Sequence, residues 1–181
     1  KTEITFEKII KKKDYSFVRY NFFLANYLIS KKENLAAEIL IRSSKNSNNS
    51  NLLIKQTLDF IENGKNKKIT NFFDCKKPKD SIAEIFYVLA NMYSTQKEFQ
   101  ISNFYLKISL FLNSKFTTNK TLLAENYFYQ KKYELSKKVY KSIKKIGPVY
   151  SWFASRSTAI ILAATGNEKE SISYLEKQFD R

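Results

Sequence analysis

The sequence predicts an all-α protein, a right-handed α-solenoid built from four or five helix-turn-helix pairs, and three observations predict this fold. Glycine occurs 3 times and proline 2 times in 181 residues, which is less turn punctuation than sheet-rich folds need. Hydrophobic residues make up 43% of the chain and aromatic residues 15%, enough to build a sizeable core. Two segments can be superimposed without a gap at a spacing of 34 residues, the mark of a helical repeat.

The two superimposable segments carry similar residue types at equivalent positions of a helix pair. A leucine and a tyrosine four residues apart share one helix face, so both can enter the core. An alanine beside the leucine, and a serine on the following helix, are small enough to let the two backbones approach closely. The equivalent residues are Leu89, Ala90, Tyr93 and Ser102 in the first segment, and Leu123, Ala124, Tyr127 and Ser136 in the second.

Weaker copies extend the pattern along the chain. A third copy contains Ala159, Leu162, Gly166 and Ser171, and an earlier one contains Leu24, Ala25 and Ala37. Between them we expect short helices near Leu52–Glu62 and Lys67–Phe73, joined by a turn at Gly64. A capping box of Ser81 and Glu84 predicts the start of a helix. The stretch Ser43–Ser50 is predicted to be a loop, and Thr2–Lys13 is predicted to be an amphipathic helix. The prediction is one domain over 1–181, with repeats at 15–48, 50–78, 81–115, 116–149 and 150–181 and a capping or partial-repeat helix in 1–14.

From about Tyr15 to Phe179 the chain resembles the tetratricopeptide-repeat family, and the match is best over Ser81–Pro148. Phe86 and Lys120 replace the tryptophan usual at the fourth position of that repeat. The run from Ser81 to Phe179 is also similar to the C-terminal repeats of a longer bacterial protein of unassigned role. That resemblance implies a place in the bacterial cell envelope. Because repeat arrays depend on neighbouring repeats and end caps, the amphipathic Thr2–Lys13 helix predicts a natural chain that continues upstream of Lys1.

The resemblance also implies a binding surface. In this family the first helix of each pair lines an inner, concave groove, where a partner protein or peptide binds. A mixture of aromatic and amide side chains there suits an extended or helical peptide. Ordinary solvent-exposed helix residues would give the same pattern, and the sequence does not separate the two interpretations. The groove positions are Arg19, Phe22, Asn26, Glu84, Tyr87, Asn91, Ser94, Thr118, Thr121, Glu125, Phe128, Tyr129 and Arg156.

The residues needed for catalysis are scarce, so the sequence predicts that the protein is not an enzyme. Histidine is absent, which removes the commonest general base and metal ligand. Cys75 is the only cysteine and is expected to be a small buried residue. We expect no catalytic residue, no metal and no cofactor, because no complete nucleotide-binding or metal-binding motif occurs.

The net charge of +15 keeps a second function open, a basic module that binds nucleic acid or another polyanion. Against it, 28 of the 32 basic residues are lysine, and only Arg19, Arg42, Arg156 and Arg181 are arginine. The lysine clusters Lys11–Lys13, Lys65–Lys68, Lys76–Lys79 and Lys144–Lys145 fall mostly at predicted helix ends. The longest wholly apolar run, Ala159–Ala164, is far shorter than the roughly 18–20 residues of a membrane helix, so no transmembrane segment is predicted.

Overall fold

The structure is a computed structural model that describes residues 18–46, 51–74 and 76–179, and these residues form ten α-helices and no strand. The all-α prediction is therefore confirmed. Two predictions, the Thr2–Lys13 helix and the burial of Cys75, lie outside the described residues. Contacts divide the chain into two compact units, unit 1 (Lys1–Ser81) and unit 2 (Ile82–Arg181).

The ten helices follow one another in pairs with short connections. The pairs of unit 1 are α1 with α2 and α3 with α4, and the pairs of unit 2 are α5 with α6, α7 with α8 and α9 with α10. In chain order the helices are α1 (Val18–Ser30), α2 (Asn34–Asn46), α3 (Leu52–Glu62), α4 (Asn66–Thr70), α5 (Pro78–Thr95), α6 (Phe99–Leu112), α7 (Thr117–Tyr129), α8 (Tyr133–Ile143), α9 (Pro148–Ala164) and α10 (Glu168–Phe179).

The turn inside every pair has the same construction. Its central residue has a positive φ, between 58° and 82°, and its N–H donates to the carbonyl three residues earlier. The next N–H donates five residues back, over 2.7 to 2.9 Å, which completes a Schellman motif. The five left-handed residues are Lys32, Gly64, Lys97, Lys131 and Gly166. They lie 32 to 35 residues apart, so one turn geometry recurs through the described chain although only two of its five central residues are glycine.

Unit 1 has an aromatic and aliphatic interior. Phe22, Ala25 and Ala37 are completely buried where α1 packs on α2, and the rings of Phe23 and Phe73 lie 4.6 Å apart between centroids. At the start of α3, the side chain of Asn51 accepts hydrogen bonds from two backbone N–H groups, as an N-cap does. The predicted loop at Ser43–Ser50 begins too early, because α2 continues to Asn46.

Helix α5 begins three residues before its predicted start. Its first residue is Pro78, whose missing N–H is one that the first turn of a helix cannot use. Ser81 therefore lies inside the helix and its N–H donates to the Lys77 carbonyl, so the capping box predicted for Ser81 and Glu84 is wrong. The carboxylate of Asp80 instead accepts a hydrogen bond from the Asp74 N–H at 2.8 Å.

Unit 2 repeats one interhelical hydrogen bond in each of its three pairs. A buried serine on the second helix donates its hydroxyl to the carbonyl of an alanine twelve residues earlier on the first helix. The three bonds are Ser102 to Ala90 at 2.7 Å, Ser136 to Ala124 at 2.8 Å and Ser171 to Ala159 at 2.8 Å. These are the small residues that the sequence predicted at the close approach of the helices, and each serine also ties the two backbones together.

None of the helices among the described residues has the length and apolar character needed to cross a membrane.

Candidate functional site

A buried polar junction fixes the first helices α5 and α7 of unit 2 beside each other. Asn126 on α7 has no exposed surface, and its Oδ1 accepts a 2.6 Å hydrogen bond from Ser94 on α5. Its Nδ2 donates to Ser102 Oγ at 2.7 Å and to Asn103 Oδ1 at 2.9 Å, both on α6. One asparagine thus joins three helices, and because it meets fixed partners it also fixes their register.

A second junction lies two turns earlier on α7. Asn119 Nδ2 donates to Ser109 Oγ at 2.6 Å, and that hydroxyl donates to the Ala83 carbonyl of α5 at 2.5 Å. Asn119 and Ser109 are both completely buried. The two junctions join α5, α6 and α7, and we call this hydrogen-bonded arrangement the frame of unit 2. The exposed sides of α5 and α7 face away from it.

The candidate site, here called the first-helix face, comprises the predicted groove residues of unit 2 that are not buried. Exposure varies along it: Tyr129 is 64% exposed, Asn91 and Arg156 are also exposed, and the others are partly buried. Thr118 is left out because it is buried within α7. The members are Glu84, Tyr87, Asn91 and Ser94 on α5, Thr121, Glu125, Phe128 and Tyr129 on α7, and Arg156 on α9.

Aromatic contacts give this face a defined shape. The ring of Tyr129 stacks on Phe99 with centroids 5.6 Å apart and planes 9° apart, so Tyr129 is held in place although it is exposed. Phe128 meets Tyr129 edge-on and Tyr133 at an angle. Tyr87 packs against the core around Ala90 and Leu106, so part of its ring supports the helix pair and only the remainder is available to a partner.

Glu125 is the carboxylate at the middle of the α7 part of the face. Burial raises its pKa above the ordinary value of 4.5. Beside it, burial raises the pKa of Tyr140 to about 12. The ring of Tyr140 on α8 meets that of Phe153 on α9 edge-on, with centroids 5.9 Å apart, so the neighbourhood of Glu125 links the second and third pairs of the unit.

Two groove residues predicted in unit 1 are not available to a partner. Phe22 is completely buried, and Asn26 is 3% exposed and donates from Nδ2 to the Ile69 carbonyl at 2.9 Å. Both belong to the face of α1 that packs inside the unit, so the predicted groove assignment for these two residues does not fit their burial. Arg19 is partly exposed and lies over the ring of Phe23 at 5.7 Å.

A surface pocket of about 590 Å³ lies beside the face, between two intra-pair turns. It is lined by Lys97, Glu98, Phe99, Gln100, Ile101, Gln130 and Lys132. Neither side-chain amide atom of Gln130 has a hydrogen-bond partner among the described residues. The pocket is open to solvent, and its charged lining groups are Lys97, Glu98 and Lys132.

The first-helix face contains no lysine, and Arg156 is its one cation. Lys97, Lys131 and Lys132 lie in the turns, and Lys144 follows α8 and donates to the Tyr174 hydroxyl and to Gln178. Within the described part of the chain no group of three or more His, Cys, Asp or Glu side chains is placed to hold a metal ion.

Sequence reasoning missed the asparagines that build the frame. Asn119 and Asn126 lie seven residues apart, which places them on one face of α7, and a polar pair on a helix face that faces another helix was the available signal. No protein-family model, curated protein or solved structure matches this chain. Its function has therefore to be inferred from the surface itself.

Proposed function

We propose that the chain is a protein-interaction scaffold that binds a segment of a partner protein on the first-helix face of unit 2. The finer fold that goes with this function is a right-handed solenoid of tetratricopeptide-like helix pairs. The five matching turns support that fold, as do the three serine-to-alanine bonds at a spacing of 34 or 35 residues.

One observation carries the functional proposal: the composition of the first-helix face. Exposed and partly exposed positions on neighbouring first helices offer tyrosine and phenylalanine rings, an amide and carboxylates, with Arg156 as the single cation among them. Aromatic rings supply contact area at a low cost in side-chain entropy, and Asn91 can bond to peptide backbone. The absence of lysine from these positions does not suit a polyanion.

The alternative, binding of nucleic acid or another polyanion, has its best support in unit 1. Lys65, Lys67, Lys68, Lys76, Lys77 and Lys79 are all exposed and lie close together in sequence. These lysines are not interleaved with exposed aromatic rings, as a stacking platform for bases would be. We therefore favour the protein-binding scaffold, and with it a function that is not enzymatic.

Affinity capture from nuclease-treated native lysate tests the proposal. The bait is the full chain, compared with the variants Asn91→Ala and Tyr129→Ala on the face and Gln100→Ala, an exposed control outside it. We expect a protein that stays bound at high salt, is lost with both face variants and is retained by the control. Capture of nucleic acid alone, with an affinity that falls steeply as salt rises, would mean that the polyanion hypothesis is correct.

A further inference from the structure

The carboxylate of Glu125 has no partner that would explain its position. It is partly buried on α7, and no hydrogen bond or ion pair reaches it from any described residue. Partial removal of a charged group from water without a compensating partner costs free energy, although the carboxylate keeps some hydration. The chain has 32 basic residues, yet none of those that the structure describes forms an ion pair with this carboxylate.

Neutral side chains flank Glu125 on its own helix and at the equivalent positions of the neighbouring first helices. Thr121 and Tyr129 lie one helical turn to either side of it on α7. Tyr140 approaches from α8 and interacts with it electrostatically. Repeat-equivalent positions on the flanking first helices hold Asn91 on α5 and Ile160 on α9, both exposed. Arg156 is the face's one cation, and no ion pair joins it to Glu125 in the described structure.

We propose that Glu125 selects a partner segment bearing a lysine or arginine side chain, whose cationic end pairs with the carboxylate while its stem packs on the Tyr129 ring. This inference rests on the proposed function, because it names the chemistry of the segment that the first-helix face binds. Tyr129 suits the second half of the contact, since its ring is exposed yet held by Phe99. A cation over a fixed tyrosine face gains cation–π attraction as well as apolar contact.

The net charge of the rest of the molecule determines how this contact should respond to salt. A net charge of +15 repels a basic segment at long range, but at physiological salt that repulsion is screened beyond about 8 Å. A partly buried pair at Glu125 is screened much less. Binding of a basic segment should therefore hold steady or strengthen as salt rises, opposite to the salt response of a polyanion complex.

Selection from a phage-displayed library of random linear peptides tests the inference directly. Wild-type protein should enrich peptides with lysine or arginine at one position, and Glu125→Lys should replace that preference with aspartate or glutamate. Glu125→Gln should bind a wild-type-selected peptide about ten-fold more weakly or worse, as expected for loss of a charge-assisted contact. Glu170→Gln, which removes an exposed carboxylate on α10, is the matched control and should leave the affinity unchanged.

The outcomes separate this inference from the proposed function. Peptides that bind the face, as shown by their loss with Tyr129→Ala, but carry no basic preference would overturn the role of Glu125 and leave the scaffold intact. A basic preference that persists in Glu125→Gln would also overturn it. If no peptide bound wild-type protein, or if binding peptides were insensitive to Tyr129→Ala and Asn91→Ala, both proposals would fail. Circular dichroism of each variant, with the same helical content as wild type, excludes misfolding as the cause.

Discussion

Units 1 and 2 share one turn geometry but differ in what holds their helices together. Every pair in both units turns through a Schellman motif. In unit 1 the helices meet through aromatic and aliphatic side chains and through two side-chain hydrogen bonds, from Asn21 to Ser44 and from Asn26 to the Ile69 carbonyl. Ala25 and Ala37, also twelve residues apart, are both completely buried and carry no hydroxyl. In unit 2 the same spacing joins an alanine carbonyl to a serine hydroxyl, three times in succession.

The difference shows that the turn and the helix contact are separate parts of a repeat. A turn of fixed geometry reverses the chain so that the second helix packs against the first. Directional hydrogen bonds then determine which residues face each other across the pair. Buried hydrogen bonds tolerate little sliding, because a displaced donor leaves a buried acceptor unpaired. The serine-to-alanine bonds of unit 2 recur at a spacing of 34 or 35 residues, while in the described part of unit 1, where this bond does not recur, the second pair is shortened and α4 has only five residues.

The largest effect should come from removing the centre of the unit 2 frame. Asn126→Ala deletes three hydrogen bonds and leaves the side chains of Ser94, Ser102 and Asn103 with fewer partners. We expect unfolding free energy to fall by about 3 kcal/mol. Trp152, the single tryptophan, lies on α9 of unit 2, so urea denaturation followed by its fluorescence reports on this unit.

Asn26→Ala is the matching change in unit 1. It removes one bond, to the Ile69 carbonyl, and should cost about 1–2 kcal/mol by far-UV circular dichroism. Equal losses for the two asparagines would show that the contrast between the units has been overstated.

Smaller effects should follow from the serine-to-alanine bonds. Ser136→Ala should lower the stability of unit 2 by about 1 kcal/mol, because the helix carbonyl of Ala124 keeps its own backbone partner. The reverse transplant, Ala37→Ser, gives unit 1 the same hydroxyl at the same spacing and should leave its stability within about 0.5 kcal/mol of wild type. A loss above about 2 kcal/mol would mean that the first pair has a different interhelical geometry and that the comparison fails.

The shared turns predict stabilising substitutions. Lys131→Gly should raise the unfolding free energy by about 0.5–1 kcal/mol, since glycine adopts the positive φ of 58° without strain. Lys32→Gly should give a similar gain in unit 1, where φ is 68°. Lys131→Ala, which removes the same charge but keeps a Cβ, is the control and should bring no such gain. Thermal unfolding of the three variants measures these stability changes. A gain for both glycine variants and none for Lys131→Ala would show that the two units share the same turn geometry.

The smallest effect concerns Glu125 and pH. Because burial raises the folded-state pKa above 4.5, the folded protein holds this proton more tightly than the unfolded chain. The carboxylate therefore lowers stability as pH rises through the window above 4.5, and the penalty is absent below it. Glu125→Gln should stabilise unit 2 at pH 7 by less than about 1 kcal/mol, because the group keeps some hydration.

That gain should vanish in urea titrations near pH 3, where the carboxyl is protonated in both states. A gain independent of pH would point to packing of the amide and not to the charge. A charge that lowers stability is consistent with a residue retained for binding.

Helix periodicity explains why much of the fold was predictable. Ala90, Ala124, Ser102 and Ser136 follow a spacing that only a helix pair brings into register, so the sequence alone located the buried contacts of unit 2. The start of α5 was mistaken, because a serine followed by a glutamate three residues later resembles a cap even inside a helix that a proline has already begun.

The binding surface was less predictable than the core. Phe22 and Asn26 occupy groove positions by alignment with the repeat, but the direction in which a helix face points depends on what packs against it. In unit 1 the polar group of Asn26 finds a carbonyl on α4, a contact 43 residues away that no local pattern contains. In unit 2 the same template positions, Asn91 and Glu125, are exposed and partly exposed, so the candidate site lies there.

Site-specific photo-crosslinking tests the central claim, partner binding on the first-helix face, most directly. A photoreactive amino acid replaces Asn91 on the face in one protein and Lys138, exposed on α8, in a second. After irradiation in native lysate, we expect a discrete protein adduct from position 91, suppressed by excess of a library-selected peptide, and none from position 138. An adduct from position 138 alone, or nucleic acid as the crosslinked species at both positions, would contradict the account.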